Sequence, residues 1–209
     1  MQISFCPYHP SAILRNHLKM GSSRADSNSI TVNSRFLEFN QKPVLPVMGE
    51  YHFSRDSRAN WPRELAKMKA GGITIVSTYL FWLYHEEIEG QFDFSGDLDV
   101  RAFVTACREQ DLSVILRIGP WAHGECRNGG FPDWLVQSEL PLRTNDPRYL
   151  KKAAIWYEQI FKQVQGLFFK DGGPIIGIQF ENELTDNAAH LLTLKRMALP
   201  SVTRLRFTL

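Results

Sequence analysis

The 209 residues are enough for one sizeable core; 44% are hydrophobic, 22% are charged, and the formal net charge is +2. That balance, with no Lys/Arg run or basic stripe, argues against nucleic acid or a membrane surface as a partner. Three widely spaced cysteines, Cys6, Cys107 and Cys126, in no C-x-x-C arrangement, support neither a disulfide framework nor a zinc site and fit a reducing compartment.

Residues 1–29 show no stable periodicity and read as a flexible lead-in to be left out of the fold. Pro7, His9, Pro10, Arg15 and His17 interrupt the apolar core that a signal peptide needs, and no apolar run is long enough to cross a bilayer. The expectation is an intracellular, cytoplasmic protein. Partial alternation from Ile30 to Phe39, with a turn at Asn40-Gln41-Lys42, predicts a short hairpin. Val44, Leu45, Val47 and Met48 then predict a buried strand, followed by the polar and aromatic exit Gly49 to Arg55.

Asn60 can cap a helix with Trp61, Leu65 and Met68 on one face, Pro62 in its first turn and Gly71-Gly72 as its stop. Ile73 to Ser77 predict a second strand, leading through Thr78-Tyr79-Leu80-Phe81-Trp82 to His85, Glu86 and Glu87. Val100, Phe103, Val104 and Cys107 fall at i, i+3, i+4, i+7, the spacing of a helix with one buried face. Leu112 to Leu116 predict a third strand with the exit Arg117 to Glu125. After an irregular stretch around Gly129 to Leu135, Asp146-Pro147 opens the longest helix, whose apolar face carries Ala153, Tyr157, Ile160, Phe161, Val164 and Leu167.

Gly172-Gly173-Pro174 mark a turn, and Ile175 to Ile178 predict a fourth strand, buried on both faces, that delivers Gln179, Glu181, Asn182 and Glu183 at its end. Strand followed by helix, four times over, predicts an α/β fold of the (β/α)8 TIM-barrel type with its first four βα units in this sequence. Every polar cluster lies at the carboxyl end of its strand, where such barrels hold their chemistry. His52, His85 and His123 follow three different strands, so a metal-dependent barrel is one reading, although no H-x-H or H-E-x-x-H spacing supports it. Exits rich in Glu, Asn, Tyr, Trp and His equally describe a sugar pocket, with no metal or cofactor. Trp82, Trp121 and Trp134 would be packing residues or platforms for a sugar ring.

These residues resemble glycoside hydrolase family 35, the β-galactosidase family. The resemblance rests on Gly172-Gly173-Pro174-Ile175-Ile176 with Gln179 and Glu181-Asn182-Glu183, and on G-E-x-H-F-x-R at Gly49 to Arg55. T-Y-x-F-W at Thr78 to Trp82, R-x-G-P-W at Arg117 to Trp121 and G-G-F-P-x-W-L at Gly129 to Leu135 extend it. Leu184 stands where an aromatic residue is usual.

The resemblance implies a retaining glycoside hydrolase acting on terminal β-galactosides, with Glu183 as general acid/base and Asn182 on the sugar 2-hydroxyl. It implies hydroxyl contacts from Glu125, Gly124 and Tyr79, with Glu181 in a supporting place. Phe53 stands where many members have a substrate-contacting tyrosine. The family's nucleophile is a glutamate after the seventh strand, beyond these four units. The domain expectation is therefore a lead-in at 1–29, half a barrel at 30–198 and an atypical tail at 199–209, through truncation or frameshift. The tail's alternation could start a fifth strand. Such a half barrel, inactive alone, would self-associate through its open edges. Alternatives are another β-glycosidase, such as a β-glucosaminidase, or a non-catalytic sugar-binding or assembly fragment.

Overall fold

The computed structural model describes residues 11–18 and 20–204. It divides at 45/46 into two compact units. The first carries β1 (Gly21–Ser23), β2 (Ser29–Val32), β3 (Leu37–Phe39) and β4 (Lys42–Val44) in one antiparallel sheet in that order. The stretch expected as a flexible lead-in thus contributes β1, whose Gly21 to Ser23 pair with Thr31 to Ser29. Between β3 and β4, Asn40 and Gln41 both have positive φ, 50° and 62°. Two left-handed centres are what a two-residue hairpin turn needs to follow the twist of its strands.

The second unit holds β5 (Met48–Glu50), α1 (Trp61–Ala70), β6 (Ile75–Tyr79), the single turn α2 (Trp82–His85) and α3 (Val100–Glu109). It continues with β7 (Ser113–Gly119), the single turn α4 (Asp133–Val136), α5 (Pro147–Gln163), β8 (Ile175–Phe180) and α6 (Ala188–Arg204). The four strands are parallel in the order β5-β6-β7-β8, and each is followed by a helix, which makes a partial (β/α) barrel.

Period-two burial along β7 separates the two faces of the sheet. Val114, Leu116 and Ile118 are fully buried against the helices, while Ser113, Ile115 and Arg117 on the opposite face are half-buried. The helices close the first face with the residues the periodicity marks: Trp61 and Leu65 from α1, Val100, Phe103, Val104 and Cys107 from α3, and Tyr157, Ile160 and Phe161 from α5. Each such side chain stabilises by about 1.5–3 kcal/mol when fully buried. From α5, Trp156 donates to the Ile118 carbonyl at 3.1 Å and Tyr157 to the Gly119 carbonyl at 2.8 Å, which anchors the exit of β7. The bond from Gly119 to Pro120 is cis.

Four local expectations are corrected. Val44, Leu45, Val47 and Met48 are exposed rather than buried, and among the described residues β5 pairs with β6 alone. Ile176, Gly177 and Ile178 of β8 are half-buried, because helices cover only one face of this edge strand. Asn60 makes no capping bond; its amide donates to Asp56 at 2.7 Å instead. Leu199 to Arg204 continue α6 rather than opening a strand, since Leu194 and Ala198 seat one face of that helix in the core. Residues 205–209 and Cys6 lie outside the described residues.

Candidate active site

The register of the parallel sheet sets Tyr79 of β6 beside Arg117 of β7, and Arg117 beside Gln179 of β8. Neighbours in register share a face, so three polar side chains form a row across the sheet near the strands' carboxyl ends. All three donate to one atom, Asn182 Oδ1: Tyr79 Oη at 3.0 Å, Arg117 Nη2 at 2.6 Å and Gln179 Nε2 at 3.2 Å. Arg117 also pairs with Glu50 at the end of β5, and its guanidinium lies 3.7 Å above the Tyr79 ring. Each of the four strands therefore contributes to one network around Asn182.

Burial, with added repulsion from Glu50, Glu183 and Glu125 against the opposing Arg117, pushes the Tyr79 hydroxyl up to about 12. It therefore keeps its proton and acts as a donor. His52 stacks on Tyr79 at 5.5 Å, and burial lowers its pKa, which keeps it neutral.

The Glu181-Asn182-Glu183 segment leaves β8 through two left-handed residues, Glu181 at φ 57° and Glu183 at φ 52°. The opposite loop carries three in succession, His123, Glu125 and the intervening Gly124, at φ 48°, 50° and 54°. Non-glycine residues held in this region cost energy and collect where geometry serves function. At Gly124 the space is also taken, since a Cβ there would lie 2.6 Å from the Phe81 ring.

The left-handed turns send neighbouring side chains in opposite directions. Glu181 is buried and held by Arg143, with Nη2 2.7 Å and Nε 3.2 Å from its Oε2. Arg143 donates as well to the Asn182 carbonyl at 2.9 Å and lies over the Trp121 ring at 4.6 Å. Glu183 turns outward, its side chain 76% exposed and its Oε2 3.7 Å from His123 Nδ1. The chemistry available is an open carboxyl next to a rigidly held primary amide, with a buried ion pair bracing the turn between them.

Glu183, Asn182, Tyr79 and the His123–Glu125 loop thus gather at one end of the sheet. Glu125 is exposed, and the Gly124 carbonyl accepts from Arg55 at 2.6 Å. Phe53 lies elsewhere: it is fully buried, stacked on Phe103 at 5.0 Å and edge-on to Trp61 at 5.7 Å. His85 is also core. It stacks on Phe94 at 4.5 Å and faces the Asp93 carbonyl at 2.9 Å, so the three histidines do not converge. Among the described residues no group of three or more His, Cys, Asp or Glu side chains is placed to hold a metal ion. Trp82 packs flat against Trp156 at 5.6 Å, and Trp134 donates to the Glu86 carbonyl at 2.9 Å; both are packing residues. Trp121 is the tryptophan beside the site.

Reading the sequence assigned no role to Arg117, Gln179, Arg143 or His123 in the carboxylate–amide cluster. Arg117 carried a usable signal, an arginine at an alternating position inside an apolar strand, where a charge needs a partner. The pairing of Arg143 with Glu181 could not be read from the sequence, because the two lie in distant segments.

The family description "Glycosyl hydrolases family 35" matches residues 36–203. Proteins named beta-galactosidase are similar to this chain. That of Xanthomonas manihotis is 46% identical over 68% of the chain and 24% of its own length. That of Canis lupus familiaris is 38% identical over 79% of the chain and 26% of its own length. The chain therefore spans about a quarter of these relatives. Among solved structures, an exo-beta-1,4-mannosidase from an Opitutaceae bacterium superposes with a TM-score of 0.61 at 15% identity, over 88% of this chain and 32% of that one. A beta-galactosidase from Marinomonas ef1 superposes at 0.52 with 16% identity, over 71% of this chain and 23% of that one. At such identities the likeness extends to the fold alone.

Proposed function

The chain belongs to family 35 of the glycosyl hydrolases, and from that membership we propose that it carries the acid/base part of a retaining site for terminal β-galactosides. Glu183 is the general acid/base. It protonates the glycosidic oxygen as the leaving group departs and then takes a proton from the attacking water. Asn182 holds the sugar 2-hydroxyl, a contact that tightens as the oxocarbenium-like transition state forms. Tyr79, Gly124 and Glu125 contact further hydroxyls of the sugar, and Glu181 braces the turn.

The observation that carries the reading is the threefold anchoring of the Asn182 amide beside an outward-facing Glu183. An acid/base carboxyl must reach solvent and substrate, whereas a hydroxyl-binding amide must be fixed before substrate arrives. The exposed carboxyl and the immobilised amide meet those opposite demands.

Leaving-group dependence in the complete protein that carries this sequence tests the proposal. Replacing Glu183 with Gln is expected to slow hydrolysis of alkyl β-galactosides by about 100-fold or more. Activated aryl galactosides, whose leaving groups depart without a proton, are expected to lose much less in the first, glycosyl-transfer step. Equal loss on both substrates would remove Glu183 from the acid role. The exposed β5 edge with Val47 and Met48 supports self-association.

A further inference from the structure

His123 has no role in the reading above, yet it touches both of the residues on which that reading rests. Its Nδ1 lies 2.8 Å from Asn182 Nδ2 and 3.7 Å from Glu183 Oε2, and the Trp121 indole nitrogen lies 3.1 Å from both of its ring nitrogens. The proton positions follow from the partners. Arg117 can only donate, so the Asn182 atom 2.6 Å from its Nη2 must be the amide oxygen. The amide nitrogen then faces His123 and, being a pure donor, requires a lone pair on Nδ1. With Nδ1 unprotonated, the imidazole proton sits on Nε2; the Trp121 indole N–H, equidistant from both nitrogens with its ring perpendicular, points at the face of the imidazole and competes with neither position.

The tautomer bears on Glu183. An imidazolium at 3.7 Å would pair with the carboxylate and hold it ionised, leaving the acid no proton to give. The neutral ring, its Nδ1 lone pair taken by the Asn182 amide, places no positive charge beside Glu183. We propose that His123 is a positioning residue of this site: as the neutral Nε2–H tautomer, it fixes the outer end of the Asn182 amide and places no positive charge beside Glu183. The strained backbone fits this role. At φ 48° a histidine occupies a conformation that L residues rarely adopt, and that conformation sets its ring against Asn182.

The functional part of this inference rests on the roles proposed for Asn182 and Glu183, so its test has an arm that needs no turnover. In the complete protein carrying this sequence, labelled with ¹⁵N-histidine, the His123 resonances are assigned by their absence from His123→Asn. They are expected to show the neutral Nε2–H form near neutral pH, and an Nδ1–H tautomer or an imidazolium there overturns the proposal. The kinetic arm compares an aryl β-galactoside with its 2-deoxy counterpart. His123→Phe keeps the ring but removes the acceptor, and is expected to lower kcat on the parent sugar by about tenfold with KM little changed, the size of one lost hydrogen bond. The 2-deoxy substrate is expected to lose less than threefold. His123→Asn, whose side-chain oxygen can stand where Nδ1 stood, is expected to recover most of the loss. Equal losses on both sugars, or Asn no better than Phe, overturn the proposal. If no β-glycoside is turned over while the Nε2–H form is seen, the functional reading fails and the His123–Asn182 geometry stands.

Discussion

His85 and His123 show how little a residue's place in the chain says about its chemistry. Both follow a strand of the same sheet, yet one is sealed between aromatic rings and the other lies against the carboxyl–amide pair. Burial pulls the His85 pKa down to about 4, with only partial opposition from the Asp93 carbonyl and carboxylate. In the unfolded chain the ring titrates near its ordinary 6.5. Between these values the unfolded state binds the extra proton, so stability falls as pH drops from about 6.5 towards 4. A gap of that size corresponds to a loss on the order of 3 kcal/mol across the window. Replacing His85 with Phe is expected to flatten this slope between pH 7 and 5 while costing about 1 kcal/mol at neutral pH through the lost contact with the Asp93 carbonyl. Thermal melts of both proteins at several pH values check this, and parallel slopes would remove His85 as the cause.

At the scale of elements, the turn into β8 is governed by one contact. A Cβ on Gly173 would lie 2.0 Å from the Leu167 carbonyl oxygen and 2.1 Å from its carbon, backbone atoms that cannot swing aside. Gly172 has open space around it, although its φ is +88°. Gly173→Ala is therefore expected to cost about 3 kcal/mol or more, and Gly172→Ala only about 1–2. Urea midpoints for the pair decide the matter, and equal shifts would rule out the close approach as the reason for glycine. The elements around this turn were legible because their signals are local: heptad-like spacing for α3, Asp146-Pro147 at the start of α5, and a short apolar run for β8. The burial of β5 and β8 was not legible, because a run such as Val44 to Met48 has the same pattern whether or not anything covers it. The site was half legible. Motif positions yielded Glu183, Asn182 and Tyr79, whereas the Arg143–Glu181 pair and the His123–Asn182 contact join segments far apart in the chain. Phe53 was placed by motif alone, and its aromatic neighbours draw it into the core.

At the scale of the whole molecule, the parallel sheet of the described residues ends at β5 and β8, each with one strand partner among those residues. Met48 on β5 is 57% exposed and Val47 beside it 40%. An open edge with apolar side chains is a template for pairing with another chain. The 209-residue polypeptide is expected to self-associate as its concentration rises, and Met48→Lys to weaken that association; sedimentation velocity at rising concentration would show both. Concentration-independent sedimentation of the unaltered polypeptide would dismiss the edge as an adhesive surface. The network around Asn182 has a further consequence for motion within the sheet. Tyr79, Arg117 and Gln179 ride on three adjacent strands and meet at one oxygen, so Asn182 works as a strain gauge for the sheet. Any slip of one strand against its neighbours shows up there first, as faster hydrogen exchange and a displaced resonance of a single side-chain amide.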